Sequence, residues 1–173
     1  PIPCREVEIR CFSMPQLADV CSLADETAAK LYCLIGAIPA LLSLYDNEQS
    51  FEDNVRAFLR TDSAFYRLAA NCMNESFRTP ESYNTLLYAM AKGYNRIGEI
   101  AKFSGFPKNK CDKYIKALIE HGLVIKAPGE NGHTKYLPAN SYLTLWYKCL
   151  LTAVPSPARS FGNDIFNQFM QVF

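Results

Sequence analysis

Lys108, Lys110, Lys113 and Lys116 stand two or three residues apart, with Asn109 between the first two. A row of ammonium groups at that spacing neutralises phosphates, and each neutralised phosphate adds a salt-sensitive increment of affinity through released counterions. No Arg accompanies them to make a forked contact with guanine, so the row positions a backbone better than it reads a sequence. Asn109 is the residue type that pairs with adenine, with helix capping as its competing role. Arg96 precedes a second short apolar pattern, where a helix N-terminus would share a phosphate with it. Asn131, in a Gly-rich turn, and His133 and Lys135 after it could reach an adjacent groove or backbone. For all of these the competing reading is an ordinary solvated surface.

Groups for bond-making chemistry are scarce. The two histidines, His121 and His133, have no Cys or carboxylate neighbours at metal-ligand spacing, and no Ser/His/Asp or Cys/His arrangement stands out. The run Gly-x-x-x-x-Gly-Lys-Ser/Thr, which cradles nucleotide phosphates, does not occur in the 173 residues. No catalytic or metal-ligating residue is therefore assigned. Tyr142, Trp146 and Tyr147 have the faces for base stacking, but an aromatic cluster at helical spacing reads first as core.

The elements that must hold these residues are legible from turn chemistry and periodicity. Pro80 begins a helix with Tyr83, Leu86, Leu87 and Met90 on one face, ending at Gly93. Asn95 is the expected cap of a second helix closed by Ser104-Gly105. Pro107 opens a third, running to His121-Gly122, with Cys111, Ile115, Leu118 and Ile119 on its apolar side. Residues 123–127 and 133–137 then flank Pro128-Gly129-Glu130-Asn131-Gly132, the composition of a β-hairpin. Three helices with a tight turn between the last two, followed by a hairpin, predict a winged helix-turn-helix. Upstream, helical patterns cover 15–23, 24–35, 39–45 and 50–59, with helical character continuing to about Asn74 and Ser50 as a cap. Residues 6–14 alternate as a strand whose sheet is expected to lie upstream. Ser141 to Thr152 and Ile165 to Phe173 read as closing helices around the linker Pro155-Ser156-Pro157.

Composition sets the outer bounds. The chain is 49% hydrophobic and 20% charged, the balance of an ordinary folded domain. Its longest apolar stretch, 31–44, is interrupted by Gly36 and Pro39, so no membrane span is expected. Seven dispersed cysteines without a CxxC pair predict reduced thiols and a cytoplasmic setting. Asn74-Glu75-Ser76 is taken as a chance match to a glycosylation site. Residues 1–5 have no secretory leader pattern, and with no initiator Met the chain is expected to be a fragment. Net charge is +1, but residues 92–148 hold ten basic and four acidic side chains while the remainder holds eight and thirteen, so the basic segment is the candidate for an anionic partner.

Several of these stretches fall in a known pattern: residues 6–14, Gly36-Ala37-Ile38-Pro39, Tyr83 through Gly93, Ile97-Gly98-Glu99-Ile100-Ala101, residues 113–118 and Leu145-Trp146-Tyr147. Over nearly its whole length the chain resembles the C-terminal half of prokaryotic AAA-type ATPases of the STAND-like archaeal ATPase family. The resemblance implies a P-loop core upstream, then a helical lid, a winged helix and often a nuclease-like region. It implies that Gly36 and Pro39 lie beside the nucleotide, with Pro39 against adenine; taken by itself, Gly36 to Pro39 reads as a helix break. Ala37 replaces the second Gly of the family's Gly-Gly-Ile-Pro, Asn140 replaces an Asp, and Leu145 replaces a Phe.

The resulting expectation is a mainly α chain with a small β-hairpin. Residues 1–76 form a strand remnant and lid-like helical domain, 77–138 a winged helix-turn-helix domain and 139–173 C-terminal helices. Its expected function is DNA binding through the third helix and hairpin, under nucleotide control by the upstream core. The alternative is a winged helix that contacts that core or a protein partner without DNA. No enzymatic activity or cofactor is expected of these residues alone, since ATP and Mg²⁺ would belong to the core.

Overall fold

A computed structural model describes residues 13–36, 38–60, 62–129 and 132–150, with the side chain of Leu150 left aside. The expected strand, apart from Ser13 and Met14, lies outside these residues, as do Ala37, Asn131, the linker 155–157 and the closing helix 165–173. Met14 starts a helix.

The described residues are mainly helical, with one two-stranded antiparallel hairpin. α1 (Met14–Cys21) carries Pro15 in its first turn, and α2 (Asp25–Ile35) places Asp25 and Glu26 at its positive end. α3 (Pro39–Leu42) is a single turn, shorter than the pattern suggested. α4 (Phe51–Phe58) is capped by Ser50, whose hydroxyl accepts from the Asp53 N–H at 3.1 Å. α5 (Ala64–Ser76) is capped in the same way by Ser63.

α6 (Pro80–Ala91), α7 (Ile97–Ser104) and α8 (Lys108–Glu120) follow in the expected order. β1 (Val124–Pro128) and β2 (Thr134–Pro138) pair with Lys126 opposite Tyr136. Just beyond the strands the Gly129 N–H donates to the His133 carbonyl at 2.7 Å, and a Cβ on Gly129 would stand 2.5 Å from that oxygen. Asn95 does not cap α7. Its carbonyl accepts the Tyr136 N–H at 2.8 Å, tying β2 to the α6–α7 turn, while Glu99 reaches back to the N–H groups of Asn95 and Arg96. α9 (Ser141–Leu145) begins at Asn140, whose carboxamide oxygen accepts from Leu143, and continues as a π-helical turn over Trp146–Leu150.

The three expected segments share one continuous core, from Leu17 to Cys149. α9 and its π-turn hold it together. The Tyr142 hydroxyl donates to the Phe65 carbonyl at 2.7 Å and accepts from the Ala69 N–H at 3.1 Å, bridging a rung of α5. The Trp146 indole donates to the Tyr66 carbonyl, the Tyr147 hydroxyl to Asn84, and the Ser141 hydroxyl to the Tyr32 carbonyl on α2. Tyr142, Trp146 and Tyr147 are all buried, as a core reading requires. No helix among the described residues is long and apolar enough to cross a membrane.

Candidate nucleic-acid interface

α8 buries Cys111, Ile115 and Leu118, spaced four and three residues apart, and this fixes which side chains face outward. Ile119, expected on the same side, is half-buried. Lys108, Asn109, Lys113 and Lys116 are exposed. The four lysines have different surroundings. Lys108 and Lys113 have no ion pair among the described residues. Lys116 places its ammonium 2.7 Å from the Asp112 carboxylate one turn earlier, and that partner pushes its pKa up. Lys110 is half-buried and lies 3.9 Å above the Phe106 ring and 5.3 Å from that of Tyr114. Its charge is held against the helix flank, while Lys108 and Lys113 stand exposed.

Tyr83 joins the outward side of α8 across the α6–α8 seam. With Asp112, Lys113, Lys116, Ala117 and Glu120 it lines a shallow groove of about 370 Å³. Burial and the adjacent Tyr114 push the Tyr83 hydroxyl pKa up, so the groove carries a neutral phenol beside two lysines and two carboxylates. Tyr83 stacks between Phe77 and Tyr114, with ring centroids 3.9 and 4.6 Å away. The periodicity of α6 places Tyr83 with its buried face, yet the ring is half-buried. The Phe106–Lys110–Tyr114 and Asp112–Lys116 contacts follow i, i+4 spacing, the signal by which they are legible.

The remaining expected site residues are spread out. Asn109 accepts the Lys110 N–H through its own carboxamide oxygen at 2.9 Å, a local use of the group that adenine would otherwise occupy. Arg96 is half-buried beside the start of α7, where the Glu99 carboxylate already accepts the Asn95 and Arg96 N–H groups at 3.1 Å. That end of α7 therefore carries an anion of its own. His133 is exposed next to the hairpin turn, and Lys135 is half-buried within β2. α8 packs against β1, the strand paired with β2.

Gly36 and Pro39 lie elsewhere. Gly36 ends α2 in the left-handed conformation (φ +60°) and is buried, and a Cβ there would come within 3.1 Å of the Asn140 Cβ. Two positions singled out by the family resemblance thus pack on each other, joining the end of α2 to the start of α9. Pro39 is exposed as the first residue of α3. Among the described residues no three His, Cys, Asp or Glu side chains are grouped closely enough to hold a metal ion.

Comparison of the chain with models of protein families, with curated proteins and with solved structures finds no match.

Proposed function

We propose that α6, α7, α8 and the β1–β2 hairpin act as a winged helix that binds duplex DNA through the outward side of α8. The observation that carries this reading is the state of Lys108 and Lys113: both are exposed on a helix whose opposite side is buried, and neither makes an ion pair among the described residues. Such ammonium groups are available to phosphates at no cost in broken ion pairs. The bond between Asn95 and Tyr136 supports the reading by fixing the hairpin beside the helical unit, as a wing requires. Lys110, braced on Phe106 and Tyr114, adds charge on one flank, and His133 and Lys135 add contacts from the hairpin.

In this reading the chain is the non-catalytic part of an ATPase resembling the STAND-like archaeal family. An upstream core would supply ATP and Mg²⁺ chemistry and set the nucleotide state that controls DNA binding. Gly36 and Pro39 would face that core. A cytoplasmic setting accords with the free thiols of Cys21, Cys33, Cys72, Cys111 and Cys149.

A second reading, contact with the upstream core or another protein, is favoured by one feature. Asp112 and Glu120 interrupt the lysines of the groove, and a mixed groove beside Tyr83 suits a peptide surface better than a phosphate backbone. Binding of the 173-residue chain to a labelled duplex pool at two salt concentrations separates the two. Affinity falling steeply with salt and lost in Lys108→Glu/Lys113→Glu supports DNA, and equal failure of both proteins at low salt supports the protein partner.

A further inference from the structure

Outside α8, three aromatic rings form a row on α6, the α6–α7 turn and α7. Tyr94 and Phe103 have centroids 4.9 Å apart with planes inclined by 32°, and Phe103 stands 5.7 Å from Tyr88. Tyr94 and Phe103 are 42% and 39% exposed, high for large rings on a folded surface. Two pieces of the local fold hold them there. Ser104 turns toward Cys111 of α8, so Phe103, one residue earlier on the helix, leaves on the side of α6. The Gly93 turn (φ +96°) brings Tyr94 alongside, with its N–H bonded to the Ala89 carbonyl.

The row ends in positive charge. The Lys92 ammonium lies 5.4 Å from the Tyr88 centroid. Exposed Lys148 stands on the π-helical turn that packs against α6. Exposed Lys102 precedes Phe103. Glu99 is the one acid of α7, and its carboxylate is turned back onto the Asn95 and Arg96 amides. A surplus of ammonium groups suits an anionic ligand, and the exposed ring surface of Tyr94 and Phe103 suits flat unsaturated groups. A single-stranded nucleic acid alternates the two. A duplex hides its base faces inside the stack, and an acidic peptide brings carboxylates without repeated flat faces.

We infer that the Tyr88–Phe103–Tyr94 row with Lys92 and Lys148 is a binding site for single-stranded nucleic acid, with bases stacking on Tyr94 and Phe103 and phosphates meeting the lysines. The site contains no residue of α8, so it goes beyond the duplex reading and stands or falls separately.

Fluorescence anisotropy of the 173-residue chain with a labelled short thymidine oligomer tests it. A labelled duplex and an acidic, Phe-containing peptide serve as parallel probes. Tyr94→Ala/Phe103→Ala is expected to weaken oligomer binding by about tenfold or more, with duplex binding unchanged. Tyr94→Trp/Phe103→Tyr keeps the stacking faces and is expected to keep the affinity. Lys92→Glu/Lys148→Glu is expected to weaken the oligomer as well, which provides a test should the double alanine variant lose its circular-dichroism melt. Absence of oligomer binding overturns the proposal, as does an unchanged affinity in the ring and lysine variants. Loss of oligomer binding only in Lys108→Glu/Lys113→Glu overturns it too while leaving the α8 reading intact. Binding of the peptide alone assigns the row to a protein partner and overturns it.

Discussion

α8 and α9 with its π-turn present two sets of residues with nucleic-acid chemistry, and the fold puts them to opposite uses. Lys108, Lys113 and Lys116 stand exposed on a helix, α8, that buries only one side, so their side chains reach solvent. Tyr142, Trp146 and Tyr147 have the rings of a stacking platform but lie between α5, α6 and α2, with every polar tip bonded to protein: Tyr142 to Phe65 and Ala69, Trp146 to Tyr66, Tyr147 to Asn84. Residue type names the chemistry a group can do, and burial decides whether a ligand ever meets it. Among the described residues the aromatic rings that are exposed, Tyr94 and Phe103, come from a different stretch of chain.

The comparison breaks most readily at Trp146. As a 6% exposed side chain whose indole is bonded to the Tyr66 carbonyl, it is expected to cost about 3–5 kcal/mol when replaced by Ala, through lost burial and the cavity left behind. Urea unfolding followed by far-UV circular dichroism measures this, and a loss below about 1 kcal/mol would take Trp146 out of the core. Next in size is the response to alkali. Burial pushes the Tyr142 and Tyr147 hydroxyls well above the ordinary tyrosine range, so both are neutral in the folded chain at pH values where the unfolded chain ionises. Their contribution to stability is complete below the unfolded pKa of about 10 and is lost as pH rises above it, by up to about 1.4 kcal/mol per tyrosine for each pH unit. Urea midpoints that fall above pH 10, and fall less steeply in Tyr147→Phe, are the expected result. A flat profile would place these hydroxyls in water.

Gly36→Ala is a smaller perturbation with a sharper meaning. The left-handed backbone costs an L-residue about 1–2 kcal/mol, and the new Cβ would press on Asn140 at 3.1 Å, so destabilisation at or above that level is expected in urea unfolding. A variant as stable as the parent would free Gly36 from its part in joining α2 to α9.

Local chemistry made most of the elements legible. Pro80, Pro107, Gly105 and Gly122 delimit α6, α7 and α8 because each acts on its own backbone, and Ser50 caps α4 for the same reason. Expectations shifted where distant chain competes. Asn95 has the side chain of a cap, yet β2 binds its carbonyl and Glu99 takes over the start of α7. Gly36 carries the spacing of a motif, but its meeting with Asn140 exists only once α9 has docked on α2. The π-turn over 146–150 has no periodic signature in five residues. In the candidate site, the lysine row was legible from spacing. The different surroundings of its members were not, because they depend on which neighbours come within reach: Lys116 on Asp112, Lys110 on Phe106 and Tyr114, and Lys108 and Lys113 on no acid among the described residues.

The smallest expected effect on stability comes from the residues with the largest expected effect on binding. Lys108→Glu/Lys113→Glu removes no contact with the core, so its urea midpoint should correspond to a change within about 0.5 kcal/mol per substitution. In duplex binding the same variant should lose the contribution of two phosphate contacts, seen as a shallower dependence of log affinity on log salt. Lys116→Ala is the internal contrast: its ammonium already has Asp112, so its loss is expected to change the salt dependence less than the loss of Lys113. Equal effects of Lys113 and Lys116 would mean that the Asp112 pair opens on binding. The division of the row into free and engaged lysines would then belong to the unbound chain alone.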